Sequence, residues 1–435
     1  MNERKIEFAI VALAIFVRIA AVFTLRSYEI PRSAYEHGEI ASNLLTGRGF
    51  SIEFLGAFGP TSQQAPVYPL IVAAAYAIGG IGTPRSHLIL ELAQSGLGGV
   101  LAFAVIRLAR EIAPERKAFA LLAGLIVAVH PTLVYAVTHV QVAGLNAVLL
   151  ASTLAAGYAA ARTRRTRDAI GAGALLALLA LADPILALSS VSLAWILVRS
   201  LPLKTSVRLL GIEMLVFAIG LAPWTIRNAL VHGEFVAVKS TFGYAFWQGN
   251  CRLSEGTDKV VRRRTENAVQ EAARAGFDLA EVNRSLWKAR HIAGYLDDIA
   301  LSREDKKELG KLSEPERSRV LFRRAVVDLK SEPWRYPRLC LRRLRYFFLF
   351  DETNPKSRSV IYRAGHLALT IAAVLGLMFA PRSLRRSLAP TFLAAALIAL
   401  FHALTIVSAR FHIPIEPLMA IWAAAPIGRE RSNLI

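Results

Sequence analysis

The chain has 435 residues, is 54% hydrophobic and has a mean hydropathy of +0.42, which is too apolar for a soluble domain of this size. The net charge of +20 and pI near 10.4 do not point to nucleic acid, because many of the basic residues form short clusters between long apolar runs. Such runs separated by short basic clusters mark an all-α polytopic membrane protein, since one span needs about 20 apolar residues and only helices satisfy the backbone in lipid.

Apolar stretches lie at residues 8–26, 87–107, 118–137, 141–161, 169–184, 185–200, 207–224, 361–381, 388–406 and 412–427, which predicts about ten spans. The first is read as an uncleaved span, because no small-residue cleavage site follows it. Residues 66–82 are also apolar, but the stretch is short, opens on Pro66 and Pro69, and closes on Gly79-Gly80. Charge decides its role. If it does not cross and the N-terminus is inside, the basic loops Arg107–Lys117, Arg162–Arg167, Arg199–Arg208 and Arg382–Arg386 and the tail at Arg429 and Arg431 all lie inside. If it crosses, all of them move outside. Residues 66–82 are therefore expected to be a surface or re-entrant helix of the outer face.

This topology divides the chain into a membrane module (1–224) with a first outer loop (27–86), an extracytoplasmic domain (225–360) and C-terminal spans (361–435). Both termini are then cytoplasmic. The domain reads as small, mixed and mainly helical. Phe235–Val238 has strand-like content, and Ala268, Ala272, Ala273 and Phe277 recur at helical spacing after Thr265. A turn at Pro333-Trp334 precedes Leu339–Phe350, where Arg342, Arg343 and Arg345 beside Tyr346, Phe347 and Phe348 suit a headgroup-level helix. Cys251 and Cys340 both fall in this domain, and their spacing leaves pairing open.

Candidate chemistry concentrates on the outer side. Glu36 and Glu39 share a face if residues 33–45 are helical, and paired carboxylates suit a general base, although two solvated loop acids would look the same. Gly47-Arg48-Gly49 reads as a tight turn rather than a nucleotide loop, with Arg48 able to meet a phosphate. Trp224–Asn228 is expected to end the seventh span, either as an interface anchor or with Arg227 as a second phosphate-binding cation. Trp247–Asn250 reads as a loop. Arg410, His412 and Glu416 open the last span, where such groups either turn into a polar cavity or serve as a snorkelling cation and a helix cap. His130, His139 and Asp183 read as structural turn residues. No metal-ligand cluster and no Walker motif is evident along the chain.

In this order the elements resemble the GT-C superfamily of polyprenyl-phosphate-dependent glycosyltransferases, most closely the protein mannosyltransferase and aminoarabinose transferase group. The resemblance rests on four runs: Tyr35–Phe50, Gly59–Pro69, Pro223–Asn228 with Trp247–Asn250, and Ala409–Pro417. It implies juxtamembrane helices in the first outer loop and a catalytic acid there, with Glu36 the first choice and Glu39 the second. The family more often carries Asp several residues earlier, where this chain has Arg32 and Ser33. Arg48, Tyr68, Arg227, Asn228, Asn250, Arg410 and His412 become the expected donor-binding residues, with no metal ligand among them. The implied enzyme is an inverting transferase in the inner membrane that moves a sugar from a polyprenyl-phosphate donor to an envelope lipid, glycan or protein. A divalent cation is left open, no other cofactor is expected, and the partners are membrane lipid and the donor. A flippase for a lipid-linked sugar and a non-catalytic scaffold of an envelope-polymer complex are the alternatives. The flippase is disfavoured because no internal repeat is seen.

Overall fold

The structure, a computed structural model, describes residues 3–30, 35–260, 276, 278–281, 283–285, 294–354, 357 and 359–427. Arg32, Ser33, the Thr265–Phe277 helical pattern (Gly276 apart), Arg429 and Arg431 lie outside these residues. Each of the ten apolar stretches is mainly helical. Among the described residues, six helices are long and apolar enough to cross a membrane, by length and composition.

Helix α1 (Glu3–Leu25) leads to α2 (Glu36–Leu45), a hairpin of β1 (Ser51–Phe54) and β2 (Ala57–Pro60), and α3 (Val67–Gly79). The loop thus carries helices, as expected, and adds a hairpin between them. Leu55 and Gly56 both take positive φ at its two-residue turn, the geometry that matches strand twist. Gly47 and Gly49 also have positive φ, as a tight turn requires. Helix α3 has 13 residues, roughly 20 Å at 1.5 Å per residue and short of the bilayer core. A Cβ on Gly79 would lie 2.5 Å from Ser86 Cα, so the α3–α4 corner requires glycine.

Next come α4 (Pro84–Ile112), α5 (Lys117–Val129), α6 (Pro131–Ala136), α7 (Ala143–Thr163), α8 (Thr166–Ala182), α9 (Ser190–Ser200) and α10 (Leu203–His232). Thr83 caps α4 by accepting from Ser86 N, with Pro84 at the first helical position. Helix α4 packs against α1, α5 and α7, and α8 packs against α7 and α10, around one apolar core. Arg18 is buried in that core, where its guanidinium donates to Ala14 O, Val127 O and Ala128 O and so caps the C-terminus of α5.

Helix α10 runs through Pro223 and Trp224 to His232, so Trp224–Asn228, the expected end of the seventh span, lies inside a continuous 30-residue helix. The strand expected at Phe235–Val238 is absent. Its carbonyls are taken by side chains instead: Asn228 Nδ2 donates to Val236 O and Val238 O, Trp224 Nε1 to Val238 O and Thr225 Oγ1 to Ala237 O. Trp247–Asn250 is not a loop but the end of α11 (Phe242–Asn250).

The polar segment continues with β3 (Lys259–Val260) and β4 (Gly294–Tyr295), an antiparallel pair, then α12 (Leu296–Ala300), α13 (Arg303–Gly310), α14 (Glu314–Ser331) and α15 (Arg335–Phe348). Cys251 and Cys340 are not bonded. The chain ends in α16 (Val360–Phe379), α17 (Arg382–Leu404) and, after an unwound stretch, α18 (Glu416–Ala424).

Candidate active site

A cavity of about 620 Å³ lies where α2, the hairpin, α11, the β3–β4 region and the stretch before α18 converge. Glu36, Glu39 and Arg410 all line it, and so do Lys239, Lys259, Tyr244, Gln248 and Asp297. Residues from distant parts of the chain thus meet at one polar chamber.

The two acids differ. Glu39 Oε1 accepts from the Glu53 backbone N–H at 2.7 Å, which ties α2 to β1. Glu36 makes no hydrogen bond or ion pair to any described residue. Burial pushes the Lys239 ammonium below its ordinary value, with Arg410 adding to that push and Asp183 and Glu36 opposing it. Lys239 donates to Gln64 at 3.2 Å. Burial, and then Arg410 and Lys239, depress His37 to about 3, so it is neutral. Burial raises the Tyr244 phenol well above its ordinary range, helped by Asp297 and Glu36, and burial also raises Asp297. Tyr244 donates to Asp297 at 3.1 Å, and Gln248 Nε2 donates to Tyr244 Oη at 2.7 Å. Carboxylates and ammonium or guanidinium groups therefore share one partly dry chamber, able to hold an anion and to take a proton.

The other expected donor-binding residues do not line the cavity, although His139, read as a structural turn residue, does. Arg48 is exposed, donating to Thr46 and lying over the Phe58 ring. The Tyr68 hydroxyl is buried and donates to Gln94 at 2.7 Å. Arg227 is half-buried between the Trp224 and Phe50 rings and donates to Thr61 O and Phe50 O. Asn228 accepts from Ser62 Oγ at 2.7 Å. Glu314 completes this clasp by accepting from Thr61 Oγ1 and Ser62 N. Arg227 and Asn228 thus hold the first loop onto α10, because their polar atoms are already spent on backbone and hydroxyl groups. Asn250 is buried, donating to Thr405 O and accepting from Arg343 at 2.9 Å. Arg343 also donates to Thr405 O, and Val407 N donates to Gly256 O at 3.1 Å, so the unwound stretch carrying Arg410 is fixed from three sides.

His412 lies away from the cavity lining, in a buried group with His366 and Glu416 whose ligand atoms all fall within 4.8 Å of one another. This corrects the expectation of no metal-ligand cluster. The sequence hid it because His366 lies in α16 and His412 in the turn before α18, so the two share no local spacing. Lys239, Tyr244 and Asp297 were also missed; each is an isolated polar residue without a motif.

No protein-family model matches the chain, and no curated protein sequence matches it. Solved structures do. The apo oligosaccharyltransferase of Archaeoglobus fulgidus aligns over 97% of this chain and 50% of its own length, with a TM-score of 0.55 at 13% identity. The archaeal oligosaccharyltransferase AglB of the same organism, in complex with an inhibitory peptide and a dolichol-phosphate, aligns over the same shares with a TM-score of 0.55 at 14% identity. ArnT from Cupriavidus metallidurans bound to undecaprenyl phosphate covers 96% of this chain and 77% of its own, but its TM-score of 0.43 carries no weight. The chain spans about half the length of the oligosaccharyltransferases it matches. The chain shares its fold with these archaeal oligosaccharyltransferases.

Proposed function

We propose that this chain is a membrane glycosyltransferase that moves a sugar from a polyprenyl-phosphate donor to an envelope lipid, glycan or protein on the outer face of the inner membrane. One observation carries the reading: Glu36 and Arg410, from opposite ends of the chain, line a single polar cavity. The shared fold supports it, as does the dolichol-phosphate held by the archaeal oligosaccharyltransferase.

In the proposed reaction Arg410 and Lys239 hold the donor phosphate. Glu36 takes the proton of the acceptor hydroxyl or amine as that atom attacks the anomeric carbon. The bond from anomeric carbon to phosphate oxygen breaks, the electron pair leaves on the polyprenyl phosphate, and configuration inverts. General-base help of this kind contributes about 10²–10⁴-fold. The two cations stabilise charge that develops on the leaving phosphate. A topology with both termini cytoplasmic, a membrane module over 1–224, a domain over 225–360 and spans over 361–435 belongs to the same proposal.

The test is turnover of a polyprenyl-phosphate sugar by the purified full chain in detergent or nanodiscs, read as release of polyprenyl phosphate. Release that Glu36→Gln abolishes supports the reading. Retention of the lipid without turnover against every acceptor class would favour a flippase or scaffold instead.

A further inference from the structure

We propose that His366, His412 and Glu416, completed by His130, form a structural binding site for a borderline transition-metal dication of the Zn²⁺ class, distinct from the cavity. All four side chains are no more than 5% exposed. Glu416 Oε1 lies 3.0 Å from His366 Nδ1 and 3.1 Å from His412 Nδ1, and Glu416 Oε2 lies 3.5 Å from His130 Nε2. A tetrahedral ion with bonds of about 2.1 Å separates its ligands by roughly 3.4 Å, so these spacings need only small adjustments.

The hydrogen bonds around His412 sharpen the case. The Tyr362 hydroxyl donates to Ala409 O at 2.8 Å and lies 3.1 Å from His412 Nε2. With its proton committed, the Tyr362 oxygen accepts from Nε2–H, which turns the Nδ1 lone pair of a neutral His412 onto a carboxylate oxygen. Two acceptors then face each other in a dry interior, an arrangement that a cation between them satisfies. A histidine that donates its outer N–H to a fixed acceptor is also the usual arrangement of a metal ligand. His130 Nε2 and Glu416 Oε2, which face each other, have no hydrogen-bond partner, and neither has His366 Nε2. Imidazole and carboxylate donors without thiolate select Zn²⁺ and its neighbours over Mg²⁺ or Ca²⁺.

The site would tie α16 to the α5–α6 junction and to the start of α18. His412 is two residues past Arg410, so the ion would also fix the edge of the cavity.

The experiment loads the 435-residue chain in detergent with Zn²⁺, dialyses it without chelator, and measures metal content and the Zn K-edge absorption spectrum. About one Zn²⁺ per chain with nitrogen and oxygen neighbours only is expected, together with a Tm that a chelator lowers and Zn²⁺, not Mg²⁺, restores. Glu416→Gln and Tyr362→Phe should each weaken Zn²⁺ at least about tenfold in competition with a chromogenic chelator; Tyr362→Phe keeps every ligand and is the variant that best preserves folding. A folded wild-type protein that retains no Zn²⁺ and whose Tm ignores it overturns the proposal. So does zinc held equally tightly by Glu416→Gln.

Discussion

The Glu39 carboxylate accepts a hydrogen bond from the Glu53 backbone N–H at 2.7 Å. That bond gives Glu39 a structural task, joining α2 to the hairpin, whereas Glu36 one turn away makes no hydrogen bond or ion pair to any described residue. A base must have a lone pair directed at its substrate, and on this ground Glu36 is the better-placed acid.

Glu36→Gln is expected to lower transfer by about 10²–10⁴-fold with little change in Tm. Glu39→Gln keeps an acceptor for Glu53 N–H and should cost far less activity. Single-turnover release of polyprenyl phosphate separates the two. If Glu39→Gln is the inactive variant, the roles assigned above are reversed.

Arg410→Gln and Lys239→Gln each remove a cation from the cavity. Charge-assisted hydrogen bonds contribute about 1.5–3 kcal/mol, so each variant should raise KM for the lipid-phosphate donor roughly 10–100-fold. Arg48→Gln and Arg227→Gln serve as controls, because neither residue lines the cavity; Arg227→Gln should instead lower Tm by loosening the first loop. A donor KM unmoved by Arg410→Gln removes that residue from the site.

His37 gives a pH signature. Its folded-state pKa is depressed from 6.5 to about 3 by burial and then by Arg410 and Lys239. Between these values the unfolded chain binds a proton that the folded chain does not. The stability difference is therefore absent above pH 6.5 and grows as pH falls below it, with a slope of up to about 1.4 kcal/mol per pH unit. Thermal unfolding from pH 7.5 to 5 should show Tm falling with acid, and His37→Gln should flatten part of that fall. A variant whose profile matches wild type would show that His37 is not buried neutral.

Gly249→Ala tests the support of the Arg410 stretch. An added Cβ would sit 1.9 Å from Thr405 O, a backbone atom that cannot swing aside. Overpacking of this kind costs about 1–3 kcal/mol, and the displaced stretch should also weaken donor binding. Gly171→Ala, where a Cβ meets nothing within 4 Å, is the matched control for Tm and KM.

Hydropathy located every apolar stretch that became helix, since an apolar run of that length has few other ways to satisfy its backbone. Its boundaries were less legible. The apolar run stops at Trp224, yet α10 continues past it to His232. Phe235–Val238 has strand composition, but Asn228, Trp224 and Thr225 occupy its carbonyls and leave no ladder to form. Such outcomes depend on side chains that arrive from another element, and no local pattern encodes them.

The same division runs through the site. Residue order alone identified a carboxylate-bearing first loop and a late arginine as the places to look, because both are costly groups beside long apolar helices. It could not separate Glu36 from Glu39, since a three-residue spacing puts both on one helical face and says nothing about the strand that engages one of them. Nor could it tell the lining cation Arg410 from Arg227, which is saturated by loop carbonyls, or see that His366 and His412 converge on Glu416. Composition and periodicity are properties of the chain read along its length. Which polar atoms are already satisfied, and which remain to do chemistry, is decided only when distant segments pack together.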